Sequence, residues 1–74
     1  PELPSHPKIA LIVPCFNEED NVYDTVTNLL NHDYPNFEVI AINDGSKDKT
    51  GEILDAMCKF APRLRSAHFQ QWLR

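Results

Sequence analysis

Glycine is scarce in this chain. With two glycines in 74 residues, it holds neither the Gly-x-Gly-x-x-Gly turn that receives a dinucleotide nor the Walker-type loop that cradles phosphates, so the two commonest nucleotide fingerprints are excluded. Cys15 and Cys58 are the only cysteines. They form no Cys-x-x-Cys or Cys/His ligand spacing, which argues against zinc, and disulfide-built domains are denser in cysteine; two free thiols in a reducing compartment are expected. Seven basic against eleven acidic side chains leave a net charge of −4. No segment gathers lysine and arginine as a nucleic-acid surface would, so a nucleic-acid partner is not expected. No apolar run approaches the roughly 20 residues of a bilayer span, and the charged-then-apolar layout of a secretion signal is missing. The chain itself reads as soluble. Carboxylates stop at Asp55. A reaction needing a carboxylate pair for a metal, or a carboxylate base, beyond that point finds no residue there.

What is present has a repeating order. Pro1 to Pro7 carries three prolines and is predicted to be a linker, because proline resists helix and sheet alike. Lys8 to Val13 is nearly all apolar and partly β-branched, the pattern of a central parallel strand covered on both faces, with Pro14 expected to end it. Asn17 is the predicted helix cap, followed by acids that complement the helix dipole. Val22, Val26, Leu29 and Leu30 form one apolar stripe at helical spacing. After the turn-rich Asn31 to Asn36, Phe37 to Ile42 is the second strand. Asn43-Asp44-Gly45-Ser46 breaks it. A second helix is predicted from Ser46 or Asp48, turning Ile53, Leu54, Met57 and Phe60 inward and ending before Pro62. The tail admits a third strand from Arg63 or a short helix over Ala67 to Leu73, and helical spacing of Phe69, Trp72 and Leu73 favours the helix. The fold class is therefore α/β, β-α-β-α, with a third strand or short helix at the end. At this length a chain buries only about 60% of its unfolded surface, which leaves little room for a complete enzyme core.

In an open parallel sheet, ligands bind outside the carboxyl ends of the strands. Two such ends fall in this chain, each followed by polar residues. Asp44, just past a buried strand, can accept hydrogen bonds from a ribose hydroxyl or a base N–H; it can equally close a turn or cap the next helix. Phe16 and Glu18 can hold a planar base and the polar atoms of a nucleoside, or serve as a core ring and a dipole-compensating acid. Lys47 and Lys49 can meet a diphosphate or simply stay solvated. His6, His32 and His68 are scattered, with surface or packing roles expected.

Val13-Pro14-Cys15-Phe16-Asn17-Glu18-Glu19 and, later, Val39-Ile40-Ala41-Ile42-Asn43-Asp44-Gly45-Ser46-Lys47-Asp48-Lys49-Thr50 resemble the start of the family 2 glycosyltransferases with the GT-A fold. The likeness is to processive, membrane-embedded synthases of poly-N-acetylglucosamine, hyaluronan and cellulose type. It covers about Lys8 to Leu64. The resemblance implies that Pro14, Cys15 and Phe16 shape a uracil pocket, that Glu18 contacts the nucleoside and that Asp44 binds the uridine of a UDP-sugar, while Asn17, Gly45 and Ser46 hold the loops. It further implies Mg²⁺ or Mn²⁺ on the diphosphate and an aspartate base that activates a polysaccharide acceptor, none of whose motifs lies in this chain. Residues 8–65 then form the N-terminal part of the nucleotide-binding domain, inactive alone, and 66–74 a divergent tail. The whole protein would be an integral membrane enzyme working at the cytoplasmic face, and exposed strand faces would favour self-association. The rival reading is a non-catalytic α/β module that binds a protein partner. A nucleotidylyltransferase piece fits less well, because its glycine-rich, Arg-containing opening loop is missing.

Overall fold

The computed structural model describes residues 6–69. Five elements follow in the order β1 (Ile9–Cys15), α1 (Val22–Leu30), β2 (Phe37–Asp44), α2 (Thr50–Cys58) and β3 (Leu64–Phe69). The three strands form one parallel sheet ordered β1-β2-β3. In β2, side chains alternate between the two faces: Phe37, Val39, Ala41 and Asn43 are buried, whereas Glu38, Ile40 and Ile42 are half-buried. The buried set joins Val22 and Val26 of α1 with Leu54 and Met57 of α2 in one core. Both helices therefore cover the same face of the sheet.

The opposite face carries neither helix. Register places Ile12 beside Ile40, Ile42 between Pro14 and Ala67, and Asp44 beside Phe69. Ile12 is 67% exposed and Phe69 55%. The expectation of a first strand covered on both faces is thus corrected: β1 is an edge of the described sheet, and β2 is its centre. Pro14 does not end β1 either, since pairing continues to Cys15 opposite Asn43. An edge strand tolerates proline because its missing N–H need not serve a neighbour.

Other boundaries shift for local reasons. Asn17 does not cap α1; the N-cap position falls to Asn21, whose side chain makes no capping bond, because the chain before it forms a loop with Asn17 at φ 49°. Glu18 still feeds the helix start, its carbonyl accepting from Asn21 N and Val22 N at 2.9 and 2.8 Å. α2 begins at Thr50, later than Ser46 or Asp48. Phe60 faces out, 86% exposed, because α2 has ended at Cys58. The predicted C-terminal helix is overturned for Ala67 to Phe69, which pair with Ile42 to Asp44 as β3. Trp72 and Leu73 lie outside the described residues. Arg63 fixes the chain between α2 and β3 by donating to the Phe37 and Pro35 carbonyls at 3.1 and 3.0 Å, its guanidinium 4.6 Å from the Phe37 ring centre.

Candidate functional site

Parallel pairing brings the carboxyl ends of β1 and β2 to one edge, and the loops that leave them are hydrogen-bonded to each other residue by residue. Asn17 N donates to Ser46 Oγ at 2.9 Å, and Lys47 N returns a bond to Asn17 Oδ1 at 2.7 Å. Two residues on, Glu19 N donates to Asp48 Oδ2 at 3.0 Å, and Lys49 N to Glu19 Oε1 at 2.8 Å. Between these exchanges Glu18 N donates to Thr50 Oγ1 at 2.8 Å. The result is a clasp of two two-bond exchanges around one central bond, the two loop segments running in the same direction. Its geometry depends on backbone that most residues avoid: Asn17 lies in the left-handed region, which asparagine tolerates, and Gly45 takes φ 75°.

Asp48 anchors the second loop. Its Oδ1 accepts from Thr50 N at 2.9 Å and Thr50 Oγ1 at 2.6 Å. Burial pushes this carboxyl up, but the bonds from the Thr50 hydroxyl and from the Thr50 and Glu19 amides outweigh it and hold it below the usual aspartate range. Thr50 is fully buried, and its hydroxyl has both an acceptor and a donor to satisfy.

The sequence-selected residues gather at this edge in different environments. Phe16 is 47% exposed. Glu18 is half-buried, and Pro14 and Asp44 are exposed. Cys15 differs: at 3% exposure it belongs to the core under the helices. Burial and, secondarily, the Glu18 charge push its thiol up, so it stays protonated and unreactive. Both cysteines are free. Asn17, Gly45 and Ser46 all lie in or beside the clasp. Glu19, Asp48 and Thr50 were not selected from sequence as loop residues, although Asp48 two positions before Thr50 carries the signature of an Asx-turn. Asn43 and His68 were missed as well; their sequence separation of 25 gives no local signal.

A model of the family described as glycosyl transferase family 2 matches residues 10–72. This chain belongs to glycosyl transferase family 2. Poly-beta-1,6-N-acetyl-D-glucosamine synthase of Staphylococcus epidermidis is 46% identical over 46 residues, covering 62% of this chain and 11% of the synthase. UDP-N-acetylglucosamine–dolichyl-phosphate N-acetylglucosaminyltransferase of Methanococcus voltae is 48% identical over 46 residues, 62% of this chain and 18% of that enzyme. The chain thus spans less than a fifth of either relative. Among solved structures, the mannosyltransferase PcManGT from Pyrobaculum calidifontis, in complex with GDP-Man and Mn²⁺, superposes with a TM-score of 0.80 over 96% of this chain and 22% of its own, at 22% identity. That likeness shows the GT-A fold.

Two properties bear on chemistry within the family. Among the described residues, no group of three or more His, Cys, Asp or Glu side chains is placed to hold a metal ion. No described helix is long and apolar enough to cross a membrane.

Proposed function

We propose that this chain is the donor-recognising N-terminal part of an inverting glycosyltransferase, and that the clasped edge of β1 and β2 receives the nucleoside of a UDP-sugar. The observation that carries the reading is that Phe16, Glu18 and Asp44 leave neighbouring parallel strands at one edge, on loops pinned to each other. Phe16 offers an exposed ring for the base, and Asp44 a carboxylate for ribose hydroxyls or a base N–H. Glu18 adds a second carboxylate; Pro14 and the Cys15 backbone shape the floor. Cys15 acts through its backbone, since its side chain is spent on the core. Residues 8–65 are assigned to this recognition unit and 66–74 to a divergent tail.

The names of two relatives support N-acetylglucosamine as the sugar, and one supports UDP as the carrier. The GDP-Man in the structural neighbour shows that the fold alone does not fix the base. For the whole protein we propose Mg²⁺ or Mn²⁺ on the diphosphate, a polysaccharide acceptor and a place at the cytoplasmic face of a membrane. The described residues do not build a metal site, so the cation and the acceptor-activating base are assigned to parts of the protein beyond this chain. Here the chain's own contribution is to bind and orient the donor.

Titration with UDP, followed by NMR, tests the reading. Amide shifts clustered at Phe16, Glu18 and Asp44, with no turnover of UDP-N-acetylglucosamine by the chain alone, are expected. Silence at those three positions, combined with self-association, would instead favour a non-catalytic interaction module.

A further inference from the structure

One polar cluster lies apart from the clasp, where the end of β3 meets β2 and α2. His68 Nε2 stands 2.8 Å from Asp55 Oδ1, and His68 Nδ1 stands 3.0 Å from Asn43 Nδ2. The other amide atom of Asn43 is committed: its Oδ1 accepts from Ser46 N at 3.3 Å. A backbone N–H can only donate, so the amide oxygen faces Ser46 and the amide nitrogen donates to His68 Nδ1. That nitrogen must then be without a proton, and Nε2–H donates to the Asp55 carboxylate. Neutral His68 is the form that satisfies these partners together. Asn43 has little freedom to adjust, being 8% exposed, and a Cβ added at Gly51 would stand 2.7 Å from its Nδ2.

We propose that His68 is a proton-sensitive positioning residue: neutral, it locks the Asn43 amide and through it the Gly45–Ser46 turn beside Asp44, and on protonation it releases that turn. With a proton on Nδ1, N–H meets N–H. The Asn43 amide must then either lose His68 or turn over and lose Ser46. Because Ser46 Oγ also receives Asn17 N, loosening this turn loosens the clasp. The effect on donor binding rests on the reading of this edge as a nucleotide-sugar site.

The groups facing His68 are Asn43 from β2, Asp55 and side-chain-free Gly51 from α2, and Ser66 of β3, whose Oγ lies 3.4 Å from Nε2. Asp55 is the charged partner. The Asp55 carboxyl is exposed; the His68 hydrogen bond holds it below the usual range, with smaller help from the charge a protonated His68 carries, from Ser66 and from Lys59. It remains an acceptor for Nε2 in either state of the ring, so the change falls on the Asn43 side. Imidazole is the side chain whose charge changes between about pH 5 and 8.

The test is NMR of the ¹⁵N-labelled chain across that range, with UDP titrated at each end. Ring nitrogen shifts should give the Nε2–H tautomer at the alkaline end, and the Gly45 and Ser46 amides should move with the midpoint of the His68 ring. His68→Gln should abolish that movement. Asn43→Asp supplies a carboxylate that accepts from both Ser46 N and a protonated Nδ1; it should raise the ring midpoint and keep the Ser46 amide protected at the acid end. UDP should bind about fivefold more weakly at acid pH to the parent chain, the worth of one hydrogen bond, and independently of pH to Asn43→Asp. A Ser46 amide that ignores the His68 midpoint, or an Nδ1–H tautomer, overturns the proposal. Amide coupling without UDP binding at any pH would sustain the positioning role and sink the nucleotide reading alone.

Discussion

Asp48 illustrates how a single side chain decides the shape of the candidate site. Sequence placed it as a possible start of the second helix; in the fold it precedes the helix and accepts from Thr50 N, Thr50 Oγ1 and Glu19 N. Its carboxyl is lowered below the ordinary 3.8, so the unfolded chain binds a proton there more readily than the folded one. Its stabilisation is therefore complete above the ordinary aspartate range and is lost as pH falls through the lower folded value. Asp55, lowered chiefly by its bond to His68, has the same sign. Urea midpoints should accordingly fall between pH 5 and pH 2, values set by the usual carboxylate range of about 4. Asp48→Asn should lower the midpoint at neutral pH and flatten the fall; an unchanged acid profile would show that the clasp adds nothing to the fold.

At the level of elements, the strands and helices were legible because each carries a long, uniform apolar pattern. Val22, Val26, Leu54 and Met57 are buried where their spacing placed them. The boundaries were less legible, since Asn17 and Ser46 have the chemistry of caps yet are taken by bonds to one another across 29 positions. β3, which sequence leaves open between a strand and a favoured short helix, is hard to read for a related reason. Leu64 to Phe69 has no strong period of its own and becomes a strand because β2 offers it a free edge. The joint between the loop after β1 and α2 is Thr50. Thr50→Val should remove the acceptor for Glu18 N, cost about 2 kcal/mol and speed hydrogen exchange at the Glu18 amide, whereas Thr50→Ser should leave that amide protected. Equal protection in both variants would assign the joint to packing rather than to the hydroxyl.

For the whole molecule, the decisive feature is that both helices lie on one face of the sheet. Ile12, Phe69 and the half-buried Ile40 and Ile42 form an apolar strip on the other. Such a strip favours association. Sedimentation of the chain should give a mass that rises with concentration, and Ile12→Glu, at an edge position, should return it towards the monomer without lowering the melting temperature. A monomer at all concentrations would show that the strip is tolerated in water.

The order β-α-β-α, the shared polar strand ends and the family were determined by sequence alone, because apolar periodicity and short motifs are local. Which polar residues would be spent on holding loops was decided only in three dimensions. Asn17, Glu19, Asp48 and Thr50 find their partners on a loop some thirty residues away, and Asn43 finds His68 on the next strand. Hydrogen-bond partners are chosen by distance in space, and that distance did not exist until the three strands lay side by side.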